Sequence, residues 1–185
     1  INDYKVMYSI CMCNKNMSRT LIRSVSSIAD QLNEKFEIII VDDASTDNSK
    51  EVLDLLSSKY SIIKCIYLPF SKSRKLGKTR NISIEHAIGK YVLLQLDCDD
   101  IYDKYILDFI ELFHQFESCL SKDFYLKGNN INMGKKDFML AYGPYKNIFR
   151  GEDRDLWARL AFDKRLIWLI HQKISSRIEK TFIDT

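Results

Sequence analysis

The chain has 185 residues, 46% of them hydrophobic, which suits a single domain with one sizeable core. Its 28 basic and 25 acidic residues leave a net charge of +3, too small a surplus to imply a nucleic-acid partner. Five cysteines, with Cys11 and Cys13 alternating in an apolar run, argue against a secreted disulfide framework and for a reducing compartment. No charged-then-apolar leader opens the chain and no apolar run approaches the ~18 residues that cross a bilayer, so it reads as soluble.

Residues 8–13 are apolar, brief and stopped by Asn14, the signature of a buried strand. From Thr20 the apolar positions Leu21, Ile22, Val25, Ile28, Ala29 and Leu32 recur at three and four, predicting a helix that ends near Asn33. A β-branched strand over 37–41 stops at Asp42 and Asp43, before the turn and cap residues Ser45 to Asn48. Val52, Leu53, Leu55 and Leu56 mark a second helix, and 62–68 a third strand closed by Pro69. A basic loop over 70–78 feeds a helix over 79–88, with Gly89 at the place of a left-handed C-cap. The fourth strand, 91–96, stops at Asp97, Cys98, Asp99 and Asp100, and a helix over 103–116 follows. Beyond it, 124–127 reads as a strand, 128–134 as a loop, 153–162 as a helix and 165–180 as an amphipathic basic segment of helical spacing. Strands alternating with such helices predict an α/β domain built on one doubly wound, mostly parallel sheet covered on both faces.

Open α/β sheets bind ligands beyond the carboxyl ends of their strands, near the point where strand order reverses. Asp42 and Asp43 follow the second strand, and Asp97, Asp99 and Asp100 the fourth, so these carboxylates crowd one crevice and repel unless a cation joins them. On an extended segment Asp97 and Asp99, two apart, project to one side and can share an ion. Oxygen ligands suit hard divalent cations, with phosphates completing the octahedron of Mg²⁺. Other readings stand beside these. Asp100 or Asp103 can cap the next helix, Asp42 can satisfy loop amides, and Glu152 and Asp153 sit where a helix macrodipole favours carboxylates. His171 follows an apolar run and Cys98 points away from its acidic neighbours, so both read as structural.

Four ordered blocks carry a resemblance. They are the first strand ending at Asn14, "EIIIVDDASTDNS" over 37–49, "GKTRNISIEHAIGKYVLLQLDCDD" over 77–100 and "GEDRDLWARL" over 151–160. Together they resemble the family 2 glycosyltransferases, of the GT-A fold, along most of the chain. The resemblance implies a single GT-A domain over 1–185, with a nucleotide-binding half over 1–100 and a short acceptor-side half over 101–185. It implies a hexosyl- or N-acetylhexosaminyl-transferase that uses a nucleoside-diphosphate sugar, with a UDP-sugar the expected donor, and transfers by single displacement with inversion. Asn14, Asp42, Asp43, Arg80 and Asp97 are then expected at the nucleotide and its phosphates. Asp97 and Asp99 are the expected ligands of Mn²⁺ or Mg²⁺, and Asp153, with Glu152 beside it, is the expected base. Gly128, Asn129 and Asn130 correspond to a glycine-rich acceptor edge. No Q-x-x-R-W block follows the E-D pair, so transfer of one sugar is expected rather than processive synthesis. A saccharide, a lipid-linked molecule or a protein would serve as acceptor. The basic C-terminal segment, with Lys173, Arg177 and Lys180 beside spaced isoleucines, adds an expected peripheral contact at the inner membrane face of a cytoplasmic protein.

Two other classes compete. A receiver domain needs its acidic pair after the first strand, whereas here the pair follows the second. A nucleotide- or sugar-binding module without catalysis keeps the same motifs and differs by failing to hydrolyse a donor in the presence of metal.

Overall fold

The structure, a computed structural model, describes residues 5–178. Chain order is β1 (Tyr8–Asn14), α1 (Ser18–Ala29), β2 (Phe36–Asp43), α2 (Ser49–Lys59), β3 (Ile63–Leu68), α3 (Leu76–Glu85), β4 (Tyr91–Leu94) and β5 (Asp100–Tyr102). There follow α4 (Ile106–Cys119), β6 (Tyr125–Lys127), β7 (Asn132–Lys135), α5 (Lys136–Tyr142), α6 (Glu152–Phe162), β8 (Leu166–Trp168) and β9 (Ser175–Arg177).

Seven strands form one sheet in the order β3-β2-β1-β4-β7-β6-β8, while β5 and β9 pair as a small separate ribbon. β1, β2, β3 and β4 are mutually parallel, β7 runs against both β4 and β6, and β8 is parallel to β6. The order reverses beside β1, whose neighbours β2 and β4 lie on opposite sides, and the crevice opens at their carboxyl ends. This is a GT-A architecture, a mostly parallel sheet flanked by helices.

The uninterrupted apolar runs follow from burial on both faces. In β2, Ile38 and Ile40 face one core with Leu21, Val25 and Ile28 of α1, Leu53 of α2 and Phe113 of α4. Ile39 and Val41 face the other, with Ile84 of α3, Met139 of α5 and Leu156 and Leu160 of α6. Each fully buried aliphatic side chain contributes roughly 1.5–3 kcal/mol.

The structure corrects several local expectations. α1 stops at Ala29, four residues early, as Asp30, Gln31 and Leu32 close back onto Ser26, Ile28 and Ala29. α3 covers Leu76–Glu85, not 79–88, and Gly89 has no left-handed φ. Gly89 is required instead by proximity, since a Cβ there would meet the Ser9 Oγ at 2.7 Å and the Ser9 N at 2.9 Å. β4 ends at Leu94 because Gln95 turns left-handed at φ 67°. α4 starts at Ile106, so neither Asp100 nor Asp103 caps it. Residues 132–135, expected as loop, form β7 between β4 and β6.

The C-terminal segment is not a helix. It forms β8 and β9, with Ile174 and Ile178 buried and Ile170 89% exposed, so its isoleucines line no common face. The amphipathic-helix basis for a membrane contact is thereby removed, and Lys180 lies outside the described residues. Among the described residues no helix is long and apolar enough to cross a membrane.

Glu37 ties three elements together. Its buried carboxylate accepts the Ser9 hydroxyl at 2.5 Å, the Ile88 amide at 2.7 Å and the Lys64 ammonium at 2.7 Å. Burial alone would raise its pKa, but the donated hydrogen bonds outweigh it and hold the carboxyl below its ordinary value. A depressed folded pKa gives stability that is fully present above the unfolded value of about 4.3 and lost as pH falls through the folded one. Glu37→Gln should therefore lose about 1–3 kcal/mol at neutral pH and show a shallower acid limb in urea unfolding measured from pH 7 to 3.

Candidate active site

The register of β1 on β2 sets Asn14 directly across from Asp42. The Asn14 Nδ2 donates to Asp42 Oδ2 at 2.7 Å, and the Ser45 amide and hydroxyl donate to Asp42 at 2.9 and 2.6 Å. Asp42 thus serves its loop amide, as one reading of the sequence held, and is only 5% exposed. Asn14 Oδ1 is buried and accepts no hydrogen bond among the described residues. Three of the loops here carry, within two residues of the strand end, a left-handed residue that is not glycine: Asn16, Ala44 and Gln95, at φ 55°, 53° and 67°. Such residues cost of order 1–3 kcal/mol each and gather where a site demands a particular chain path.

Asp43 is held by Arg74, whose Nε donates at 2.8 Å, and by the Thr79 hydroxyl at 3.3 Å. This pair lines a 620 Å³ cavity with Cys13, Asn14, Thr79 and the exposed Phe70 and Phe149, rimmed by Lys15, Lys72 and Lys75. Burial pushes the Cys13 thiol up to about 12, so it stays protonated and is no nucleophile. Cys98 is fully buried with its thiol on the Cys13 carbonyl at 3.4 Å.

Asp97 and Asp99 lie past the Gln95 kink, in a turn rather than on an extended strand. Their carboxylates nonetheless address one point. The guanidinium of Arg177 lies 3.8 Å from Asp97, pairs with Asp99, and meets Asp100 at 3.0 Å. Burial pushes the Asp97 carboxyl up; Arg80 and Arg177 pull it back, while Asp99 and Asp100 oppose them.

Arg80 joins the two acidic groups. Its Nε donates to Glu152 at 3.1 Å and its far nitrogen lies 4.0 Å from Asp97. Gly151, at φ 79°, turns the chain into α6 and places Glu152 and Asp153 in its first turn. Glu152 is 4% exposed and committed to Arg80, while Asp153 is half-buried and accepts the neighbouring Arg154 amide at 2.7 Å.

At the turn between β6 and β7, Gly128 is boxed in by Phe109, His171 and the Ile131 carbonyl. His171 Nε2 accepts the Asn129 amide at 2.9 Å, a structural role, and Asn130 reaches Asp100 at 2.7 Å rather than lining an open edge. Two features escaped the sequence. Lys127 lies over both the Trp157 and Trp168 rings at 4.3 and 4.4 Å, its pKa lowered by burial against the opposing charge of Asp153. Arg177 reaches the acidic loop only because β9 pairs with β5.

The oxygen donors of Asp97 and Asp99 are of the type that suits a hard divalent cation, and both face the Arg177 guanidinium. Among the described residues no set of three His, Cys, Asp or Glu side chains surrounds one metal position, so two carboxylates would leave the remaining positions to phosphate and water.

A crevice at the strand ends, with acidic loops on a GT-A sheet, defines a class, and sequence comparison gives its family. The profile of glycosyl transferase family 2 matches residues 9–173, and the chain belongs to that family. It is 28% identical over 149 residues to a cholesterol galactosyltransferase of Borreliella burgdorferi, covering 80% of this chain and 39% of that one. It is 30% identical over 103 residues to the Escherichia coli UDP-Glc:alpha-D-GlcNAc-diphosphoundecaprenol beta-1,3-glucosyltransferase WfgD, covering 55% and 38%. In fold it resembles Staphylococcus aureus TarS 1–349 in complex with UDP-GlcNAc, at TM-score 0.76 and 18% identity, covering 95% of this chain and 59% of that one. It also resembles glucosyl-3-phosphoglycerate synthase of Mycobacterium tuberculosis with Mn²⁺, UDP and phosphoglyceric acid, at TM-score 0.71 and 14% identity, covering 97% and 73%. The chain spans 16–39% of the length of the first relatives it matches.

The Arg80–Glu152 pair is buried enough that losing one partner strands a charge. Arg80→Met should lose about 3–5 kcal/mol, and Arg80→Met with Glu152→Leu distinctly less, in matched urea titrations. A double variant as unstable as the sum of its singles would show that the two side chains are not coupled.

Proposed function

We propose that this chain carries the donor site and catalytic base of an enzyme that transfers a hexosyl or N-acetylhexosaminyl group from a UDP-sugar to an acceptor hydroxyl with inversion. The observation that carries the reading is the span of Arg80 between Glu152, at 3.1 Å, and Asp97, at 4.0 Å, which ties the two acidic groups to one guanidinium. Family membership and the UDP and Mn²⁺ complexes of the structural neighbours support it.

Asn14, Asp42 and Asp43 would take the nucleoside. The unpartnered Asn14 Oδ1 offers an acceptor to a ligand N–H or O–H, and Asn14 and Ser45 fix the orientation of Asp42. Asp97 and Asp99 would hold Mn²⁺ or Mg²⁺, which when bound stabilises negative charge developing on the departing diphosphate. Arg80 would add a fixed positive charge beside the phosphates, kept in place by Glu152. Asp153 would take the proton of the acceptor hydroxyl. Glu152 already spends one oxygen on a guanidinium in a buried site, whereas Asp153 has room to meet a substrate. Lys127, caged by two indoles, would set a positive charge near Asp153.

The test uses UDP, Mn²⁺ and a panel of UDP-sugars. Calorimetry should show Mn²⁺-dependent UDP binding that falls about tenfold or more in Asp99→Asn, a loss of roughly 1.4 kcal/mol. Asp153→Asn should keep UDP affinity and lose donor turnover, to acceptor or water, by about a hundredfold or more. Unchanged metal dependence in Asp99→Asn would contradict the ligand assignment, and near-normal turnover in Asp153→Asn would move the base elsewhere.

A further inference from the structure

The loop of Asp97, Asp99 and Asp100 carries an unusual arrangement for the proposed metal site, because a cation from the same chain is already seated on it. Strand β9 pairs antiparallel with β5, setting Arg177 opposite Asp100, Ser176 opposite Ile101 and Ser175 opposite Tyr102. Backbone bonds flank this ribbon on both sides, from the Ile178 amide to the Asp99 carbonyl at 2.9 Å and from the Asp103 amide to the Ile174 carbonyl at 2.8 Å. Buried Ile174 and Ile178 anchor its ends. The guanidinium therefore arrives by construction: Nε meets Asp100 at 3.0 Å, one terminal nitrogen pairs with Asp99 and the other lies 3.8 Å from Asp97.

The three carboxylates are not equivalent. Asp100 is fully buried, and its other oxygen accepts Asn130 at 2.7 Å and the Ser175 hydroxyl at 3.0 Å, so it keeps partners if the guanidinium leaves. Asp97 is the most exposed of the three, and its side chain faces both Arg80 and Arg177. The Arg177 side chain is half-exposed, so it can swing out without unfolding the ribbon.

We propose that Arg177 and the divalent cation are alternative occupants of the Asp97–Asp99 site, so that the metal enters only as the guanidinium moves off onto the diphosphate of the nucleotide. The inference rests on the metal reading given above. Two positive charges cannot share carboxylates a few ångströms apart without strong repulsion. A planar guanidinium matches phosphate oxygens in two-pronged hydrogen bonds, so the displaced side chain gains a new partner only when nucleotide is present. Metal and nucleotide would then bind cooperatively, with Arg177 supplying the coupling. If the guanidinium occupies the site about nine-tenths of the time, it weakens binding of metal alone about tenfold.

The experiment is Mn²⁺ titration followed by electron paramagnetic resonance of free Mn²⁺, with and without UDP, on the whole chain and on Arg177→Gln, Arg177→Lys and Lys173→Gln. Lys173 lies 3.9 Å from Asp100 and controls for the general effect of removing one positive charge. The expected result is Mn²⁺ alone binding about tenfold tighter to Arg177→Gln, with the gain from added UDP reduced, and Lys173→Gln changing affinity by less than about threefold. Arg177→Lys, a charge without the fork, should fall between the parent and Gln. Unchanged affinity in Arg177→Gln, or an equal rise in Lys173→Gln, overturns the proposal and leaves the metal reading standing. Absence of Mn²⁺ binding by every protein, with UDP present, removes both.

Discussion

Crowding of carboxylates at the carboxyl edge of the sheet is the constraint on which the rest of the site depends. Asp42, Asp43, Asp97, Asp99, Asp100 and Glu152 lie on strand ends or helix starts that the doubly wound topology directs to one crevice. Left alone they would repel one another in a medium that screens poorly. Each is answered in a distinct way. Asp42 takes neutral donors from Asn14 and Ser45, Asp43 takes Arg74, Glu152 takes Arg80, and the Asp97–Asp100 loop takes Arg177. The guanidiniums offset this repulsion in the folded chain.

The two acidic groups differ in setting. At the Asp97–Asp99 loop the charge of Asp97 and Arg177 is partly exposed. At the start of α6 Glu152 is buried and paired with Arg80, and Trp157, one turn beyond Asp153, is covered by Lys127. Arg80 links the two groups, so under the proposed function a shift of charge on a diphosphate would be felt at the start of α6.

Much of this was legible from residues alone where a pattern had a single physical cause. The apolar strands announced themselves because both faces are buried, and the acids stood out because each follows such a run. The glycosyltransferase resemblance rested on those same blocks and is matched by the family profile. What was hidden depends on tertiary pairing. β7 has the sequence NMGK, without β-branched residues, and is a strand only because β4 and β6 flank it. Isoleucines spaced by three and four after residue 165 suggested a helix, but pairing of β8 with β6 and of β9 with β5 overrides that spacing. Gln95 carries no composition signal for φ 67°, so the fourth strand was read two residues too long and its acids placed on an extended segment. Arg177 and Lys127 acquire meaning only through contacts across more than a quarter of the chain or between two separate indoles.

In the proposed enzyme, nucleotide and divalent cation meet at Asp97 and Asp99 beside the Asn14–Asp42 pair. The most direct measurement is an anomalous-difference map from crystals grown with UDP and Mn²⁺. The account predicts one strong manganese peak at coordination distance from Asp97 and Asp99, bridged to the diphosphate, with the uridine beside Asn14 and Asp42 and the Arg177 guanidinium moved onto phosphate oxygens. Manganese bound away from these carboxylates, or UDP seated with Arg177 still on Asp99, would contradict it.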